Sequence, residues 1–131
     1  MTDRLVLDAG ALIALERNDR PMWARLEAAA DADLEVLVPS GALAQVWRGT
    51  ANQARLSQAL TKTRLGEFDA VARAAGELCH ATHSSDPIDA AVVLNAAGTT
   101  SVIVTSDPND IRKLVRALPQ ELGSTITILR A

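Results

Sequence analysis

The sequence predicts an α/β fold in which a parallel sheet of four or five strands is covered by helices on both faces. Three observations carry that prediction. Short apolar runs, Leu5-Val6-Leu7, Val36-Leu37-Val38 and Val102-Ile103-Val104, alternate along the chain with longer stretches of helical periodicity. Each run is continuous rather than alternating, which marks strands buried on both faces, and parallel neighbours need a crossover, usually a helix. No linker or low-complexity stretch interrupts the 131 residues, so residues 1–131 read as one domain.

In order, Arg4 to Asp8 is the first strand and Ala9 to Arg17 its helix. Asn18-Asp19-Arg20-Pro21 is a turn whose proline suits the start of the next helix, Met22 to Asp31, with Trp23, Leu26 and Ala30 on the core side. Glu35 to Val38 is the second strand, ended by Pro39-Ser40, with Ser40 the expected helix cap. Gly41 to Trp47 and Asn52 to Leu60 are helices separated at Gly49, and Trp47 is expected in the core or at a dimer contact. Lys62 to Phe68 reads equally as a short edge strand or a loop. Asp69 to His80 and Pro87 to Ala96 are helices, the second stopped by Gly98. Ser101 to Thr105 is a strand, Pro108 to Leu118 a helix ended before Pro119, and Thr125 to Leu129 the last strand.

Composition narrows the function. No apolar run is long enough to span a bilayer, and the first strand begins too early for a signal peptide, so the chain is expected in the cytoplasm. One cysteine, Cys79, in an apolar helical stretch reads as a structural thiol. A net charge of −3 argues against non-specific coating of nucleic acid. Eleven of the 13 basic residues are arginine, a residue whose fork fits phosphate. Arg48, Arg55 and Arg64, or Arg112, Lys113 and Arg116, are candidates for such contacts. With aromatic residues at 2%, a base-stacking platform is not expected.

The candidate chemistry lies in the acids. Asp8 closes the first strand, at the edge of an α/β sheet where ligands bind, although Asp there is also a favoured helix cap. Ser85-Asp86-Pro87-Ile88-Asp89 and Ser106-Asp107-Pro108-Asn109-Asp110 share one pattern, S-D-P-x-D. Capping explains Asp86 and Asp110 well, since Asp as cap, Pro at the first helical position and an acid in the first turn make a good helix start. It explains Asp89 and Asp107 less well. Asp107 follows a strand, and Asp89 opens the helix leading into that strand, so both come to the edge that carries Asp8. Three carboxylates in one pocket repel unless some are protonated or a cation joins them. Oxygen donors of this kind suit Mg²⁺ or Mn²⁺, which activates water and stabilises a phosphoryl centre.

With these residues in view, the chain resembles the PIN domain, and within it the small VapC-type toxin nucleases. The matching stretches are Leu7 to Ala14, Val38-Pro39-Ser40 with Gln45 to Gly49, Asp86 to Ala91, and Val104 to Asp110; their order and spacing cover nearly the whole chain. The resemblance implies a PIN-like three-layer sandwich with a five-stranded parallel sheet, Lys62–Phe68 supplying the remaining strand. It implies a Mg²⁺- or Mn²⁺-dependent endoribonuclease, with Asp8, Asp89 and Asp107 as metal ligands, Thr105 as a supporting hydroxyl and Asp110 as a further acid. It also implies an RNA substrate, a homodimer and a cognate antitoxin laid over the site. One position departs from the pattern: Gln45 stands where the family usually has Glu. The carboxamide brings no charge. Asp86, one turn before Asp89, is a candidate to compensate. Gln45 is either a neutral outer ligand that orients water or the mark of a weakened site, and the second alternative makes the chain a binding or regulatory module.

Other constellations are weaker. His80, His83 and Asp86 have the spacing of a zinc face, but the helix is expected to end near His83, where a cation suits the helix dipole. A phosphoacceptor receiver domain would need a second acid beside Asp8 and a lysine near Ser101–Thr105, and a haloacid-dehalogenase-like phosphatase would need an acid at residue 10, which is Gly.

Overall fold

The computed structural model describes residues 2–131. Five strands, β1 (Arg4–Leu7), β2 (Glu35–Pro39), β3 (Arg64–Gly66), β4 (Ser101–Thr105) and β5 (Ile126–Arg130), form one sheet in the order β3-β2-β1-β4-β5. All neighbours are parallel; Val6 lies opposite Leu37 on one side and Ile103 on the other. The ambiguous segment is thus a strand, three residues long at the sheet edge.

Strand alternation divides the core in two. Leu5, Leu7, Val36 and Val38 face the layer of α1 (Ala9–Glu16), α2 (Arg20–Asp31) and α4 (Ala54–Leu60), joined by Val46 of α3 (Ser40–Val46). Val6, Leu37 and Ile103 face α5 (Ala72–Thr82), α6 (Pro87–Ala96) and α7 (Pro108–Arg116). The steps from β1 to β2 and β3 cross on the first face, and those from β3 to β4 and β5 on the second, as right-handed crossovers in opposite directions require. Helix α6 is buried nearly all round, with Ala90, Ala91, Val92, Val93 and Ala96 inaccessible; its small residues let it lie across β1, β2 and β4. The β3–β4 connection therefore passes directly beneath the point where the strand order reverses, between β1 and β4.

Several expectations are corrected. Ser40 is not a cap: it is the first helical residue after Pro39, and its Oγ instead accepts from Phe68 N at 3.0 Å, pinning the chain after β3. The core stripe of α2 is Met22, Leu26 and Ala29, and Ala30 is exposed. Trp23 sits at the margin because its indole N–H donates to Leu15 O at 3.0 Å. Trp47 is 40% exposed beyond the end of α3 and is no part of the core. The stretches 51–60 and 69–82 each begin with a 3₁₀ turn, and α8 (Gln120–Gly123) is a short helix that the periodicity did not signal. Cys79 is half-buried against the second core. His83 ends α5 at a positive φ of 56°, with His80 and His83 both exposed. Among the described residues no helix is long and apolar enough to cross a membrane.

Candidate functional site

A cleft of about 310 Å³ opens at the carboxyl edge of β1 and β4, lined by Asp8, Asp86, Asp89, Asp107, Gln45 and Ser106 among others. No Lys, Arg or His lines it. The ion pairs among the described residues, Arg4 and Arg64 to Glu35, are at the opposite ends of the strands.

Each acid is placed by its local sequence. Asp8 is buried, 6% exposed, with its backbone N donating to Val104 O at 3.2 Å as β1 and β4 end together. Its Oδ1 accepts from Ala11 N at 3.2 Å and caps α1, so the cap is real, yet the same carboxylate also faces the cleft. The fully buried Thr105 stands between two acids: its hydroxyl lies beside the Asp8 carboxylate and favours its charged form, and its Oγ1 accepts from Asp107 N at 3.0 Å. Asp107 occupies the cap position of α7 but makes no side-chain capping bond, which leaves its exposed carboxylate to the cleft. Asp86 caps α6, accepting from Ile88 N at 3.0 Å and Asp89 N at 3.1 Å. Asp89 follows in the first turn, half-buried.

The fold thus brings Asp8, Asp86, Asp89, Asp107 and Gln45 to one cleft. Asp110 is elsewhere: it lines a separate depression with His83, Ser84, Ser85 and Lys113. Gln45 is exposed at the rim. The structure adds two residues that spacing did not reveal. A Cβ on Gly10 would stand 2.5 Å from both Cβ and Oγ of Ser106, so the loops after β1 and β4 touch through a missing side chain. Their only sequence signal is adjacency to Asp8 and Asp107.

The electrostatics follow from crowding without a counter-charge. Burial raises the Asp8 carboxyl above its ordinary range, opposed by its hydrogen bonds from Thr105, Ala11 and Gly10 and helped by the charge on Asp107. Burial first, then Asp86, then the charges of Asp8 and Asp107, push Asp89 up to about 7. Where they stand, no three His, Cys, Asp or Glu side chains among the described residues are gathered closely enough to hold a metal ion. The donor set is nevertheless one that a hard cation fits: oxygen only, anionic, and partly protonated near neutrality for want of positive charge.

A consequence is checkable by melting. Asp89 titrates near 7 when folded against an ordinary 3.8, so between these values the folded chain holds more protons than the unfolded one. Metal-free stability therefore falls as pH rises through that window and stays low above it. Asp89→Asn is expected to raise the melting temperature by a few degrees at about pH 8 and to change little at about pH 4, below the window. An equal shift at both values would assign the effect to packing instead.

No family model matches the chain, and no curated protein matches its sequence. Among solved structures, it is similar to a chain of VapBC2 from Rickettsia felis, crystallised bound to a DNA fragment from their promoter. The TM-score is 0.69 at 16% identity, over 98% of this chain and 98% of that one. At that identity the likeness is one of fold. The five-stranded parallel sheet between helical layers is the architecture that this chain shares with that VapBC2 chain.

Proposed function

We propose that the protein is a Mg²⁺- or Mn²⁺-dependent endoribonuclease, the toxin of a cytoplasmic toxin–antitoxin pair. The observation that carries this reading is the convergence of four aspartates on one cleft without a basic partner, two of them with raised pKa. The resemblance of the motifs implies the toxin role and a homodimer, and the likeness to a VapBC2 chain supports a cognate antitoxin as partner.

In this reading Asp8, Asp89 and Asp107 hold the cation. A bound divalent ion supplies two things: a lower pKa for water and neutralisation of charge on the phosphoryl oxygens. The chain's own residues do the rest. Thr105 fixes Asp8 and the backbone of Asp107 in one arrangement, limiting the reorganisation needed to close the acids around a cation. Asp86, held by two amides of α6, and Gln45 at the rim orient the attacking water. The direct test is cleavage of mixed single-stranded RNA with Mn²⁺, with Mg²⁺ and with chelator. Metal-dependent cleavage supports the reading, and RNA left intact under all three conditions opposes it.

Gln45 favours a second reading, a binding module whose site has lost activity. Gln45→Glu separates the two. Adding a carboxylate at the rim is expected to tighten Mn²⁺ binding by about tenfold. If wild-type RNA cleavage is absent and the variant gains it, the weakened-module reading stands. If the wild type cleaves and the variant only binds metal tighter, Gln45 is a neutral working residue.

A further inference from the structure

The acid cleft does not end at Gln45. A second depression, of about 300 Å³, shares Ile13, Gln45 and Val46 with it and continues past α3 to Glu16, Arg17, Arg48 and Gln53. We infer that this depression is a phosphate subsite that seats the RNA backbone beside the scissile phosphodiester, with Arg17 and Arg48 as its anion contacts. The inference rests on the nuclease reading for its substrate, and on the following geometry for its place.

The depression is built around a buried polar side chain. Gln53 is 5% exposed, and its carboxamide uses every hydrogen-bonding position it has. Oε1 accepts from Arg48 N at 2.8 Å and Gly49 N at 3.1 Å; Nε2 donates to Val46 O at 2.8 Å and Glu16 Oε1 at 2.7 Å. This clasp fixes the loop after α3 against the end of α1, so the two arginines stand on one rigid wall. Arg48 is oriented further by backbone carbonyls: Nη1 donates to Ala44 O at 3.2 Å and Trp47 O at 2.7 Å, and Nη2 to Gln45 O at 3.0 Å. Three of five N–H donors are thereby used, leaving two for a ligand, and neutral carbonyls leave the charge uncompensated. Arg17 is exposed and has no ion-pair partner among the described residues.

Charge then separates the two neighbouring depressions. One end carries four aspartates and no base; the other carries two arginines against Glu16, whose oxygen already accepts from Gln53. A polyanion repelled by the acid end without a cation is held by the other, where a pre-oriented guanidinium fork matches a phosphate. The acids alone would reject a nucleic-acid strand. The arginine wall gives the strand a place and a register, which puts the next phosphate at the carboxylates.

The test is binding of fluorescently labelled mixed single-stranded RNA, followed by anisotropy across a salt series with calcium present. The proteins are wild type, Arg17→Ala, Arg48→Ala, Arg48→Lys and, as a control on the other face of the sheet, Arg73→Ala. Each subsite alanine is expected to weaken binding by about tenfold or more. Each should also lower the salt slope of log K by roughly 0.7, the value for one phosphate contact on a single strand. Arg48→Lys should keep the slope, and Arg73→Ala should change nothing. A purely structural role for Arg48 would lower melting temperature without moving the slope. Wild-type RNA binding that neither alanine alters in affinity or slope overturns the subsite and leaves the nuclease reading standing. Cleavage failure with arginine-dependent binding overturns that reading and leaves the subsite standing. Absence of RNA binding, with arginine-dependent binding of polyglutamate, overturns the subsite and assigns the groove to an acidic protein segment.

Discussion

Asp8→Asn is expected to reduce metal-dependent RNA cleavage by about 10³-fold or more while leaving the fold in place. The substitution is nearly isosteric, and Asn is as good a helix cap as Asp, so the bond to Ala11 N is retained. What is lost is one buried negative charge next to Asp107 and Asp89. In the metal-free protein that charge opposes burial, so the melting temperature of the variant should hold or rise near neutral pH. Lost cleavage together with unchanged or higher stability distinguishes a ligand from a cap. Were Asp8 only a cap, the change would leave both quantities alone.

The second large effect is expected from Gly10→Ala. The added Cβ would lie 2.5 Å from the Cβ and Oγ of Ser106 and 2.8 Å from its backbone N. A side chain could rotate away, but backbone cannot, so the loop after β4 must move. That loop is held by Arg130, whose Nη1 donates to Ser106 O at 3.1 Å, and by Thr105 beneath Asp107. The strain should cost about 1–3 kcal/mol. Displacing Asp107 by a fraction of an ångström to an ångström should lower cleavage by about 100-fold. Thermal melting and cleavage rates check the two parts separately. Unchanged melting and unchanged cleavage would mean that the loops after β1 and β4 are not in contact.

Much of this was legible in the residues. Pro87–Ala96 and Ser101–Thr105 have the same limits in sequence and structure, because Asp-Pro starts and a glycine stop define the helix and a continuous apolar run defines the central strand. The acids at the switch point could be assembled from strand ends and helix starts alone, since a parallel sheet brings both to one edge. The misses have a common cause in contacts distant along the chain. Ser40 looked like a cap from its neighbours, but Phe68 recruits its hydroxyl. Trp47 reads from the sequence as core or a dimer contact, and the core alternative fails because α3 ends at Val46 and the indole falls outside the packed stripe. Asp110 has the same local pattern as Asp89, yet it lines another depression, beside His83 and Lys113 of distant and neighbouring turns. Gly10 carries no local signal beyond its closeness to Asp8, and Gln53 carries none; their roles exist only where two loops meet.

The central claim is that the acid cleft holds a divalent cation, and isothermal calorimetry with Mn²⁺ tests it most directly. Wild type, Asp8→Asn and Gln45→Glu would be titrated in two buffers of different ionisation enthalpy at about pH 6, where Asp89 is still protonated without metal. The account predicts binding by wild type with release of about one proton, tighter binding by Gln45→Glu, and none by Asp8→Asn. Absence of binding by both wild type and Gln45→Glu, or equal binding by Asp8→Asn, would contradict it.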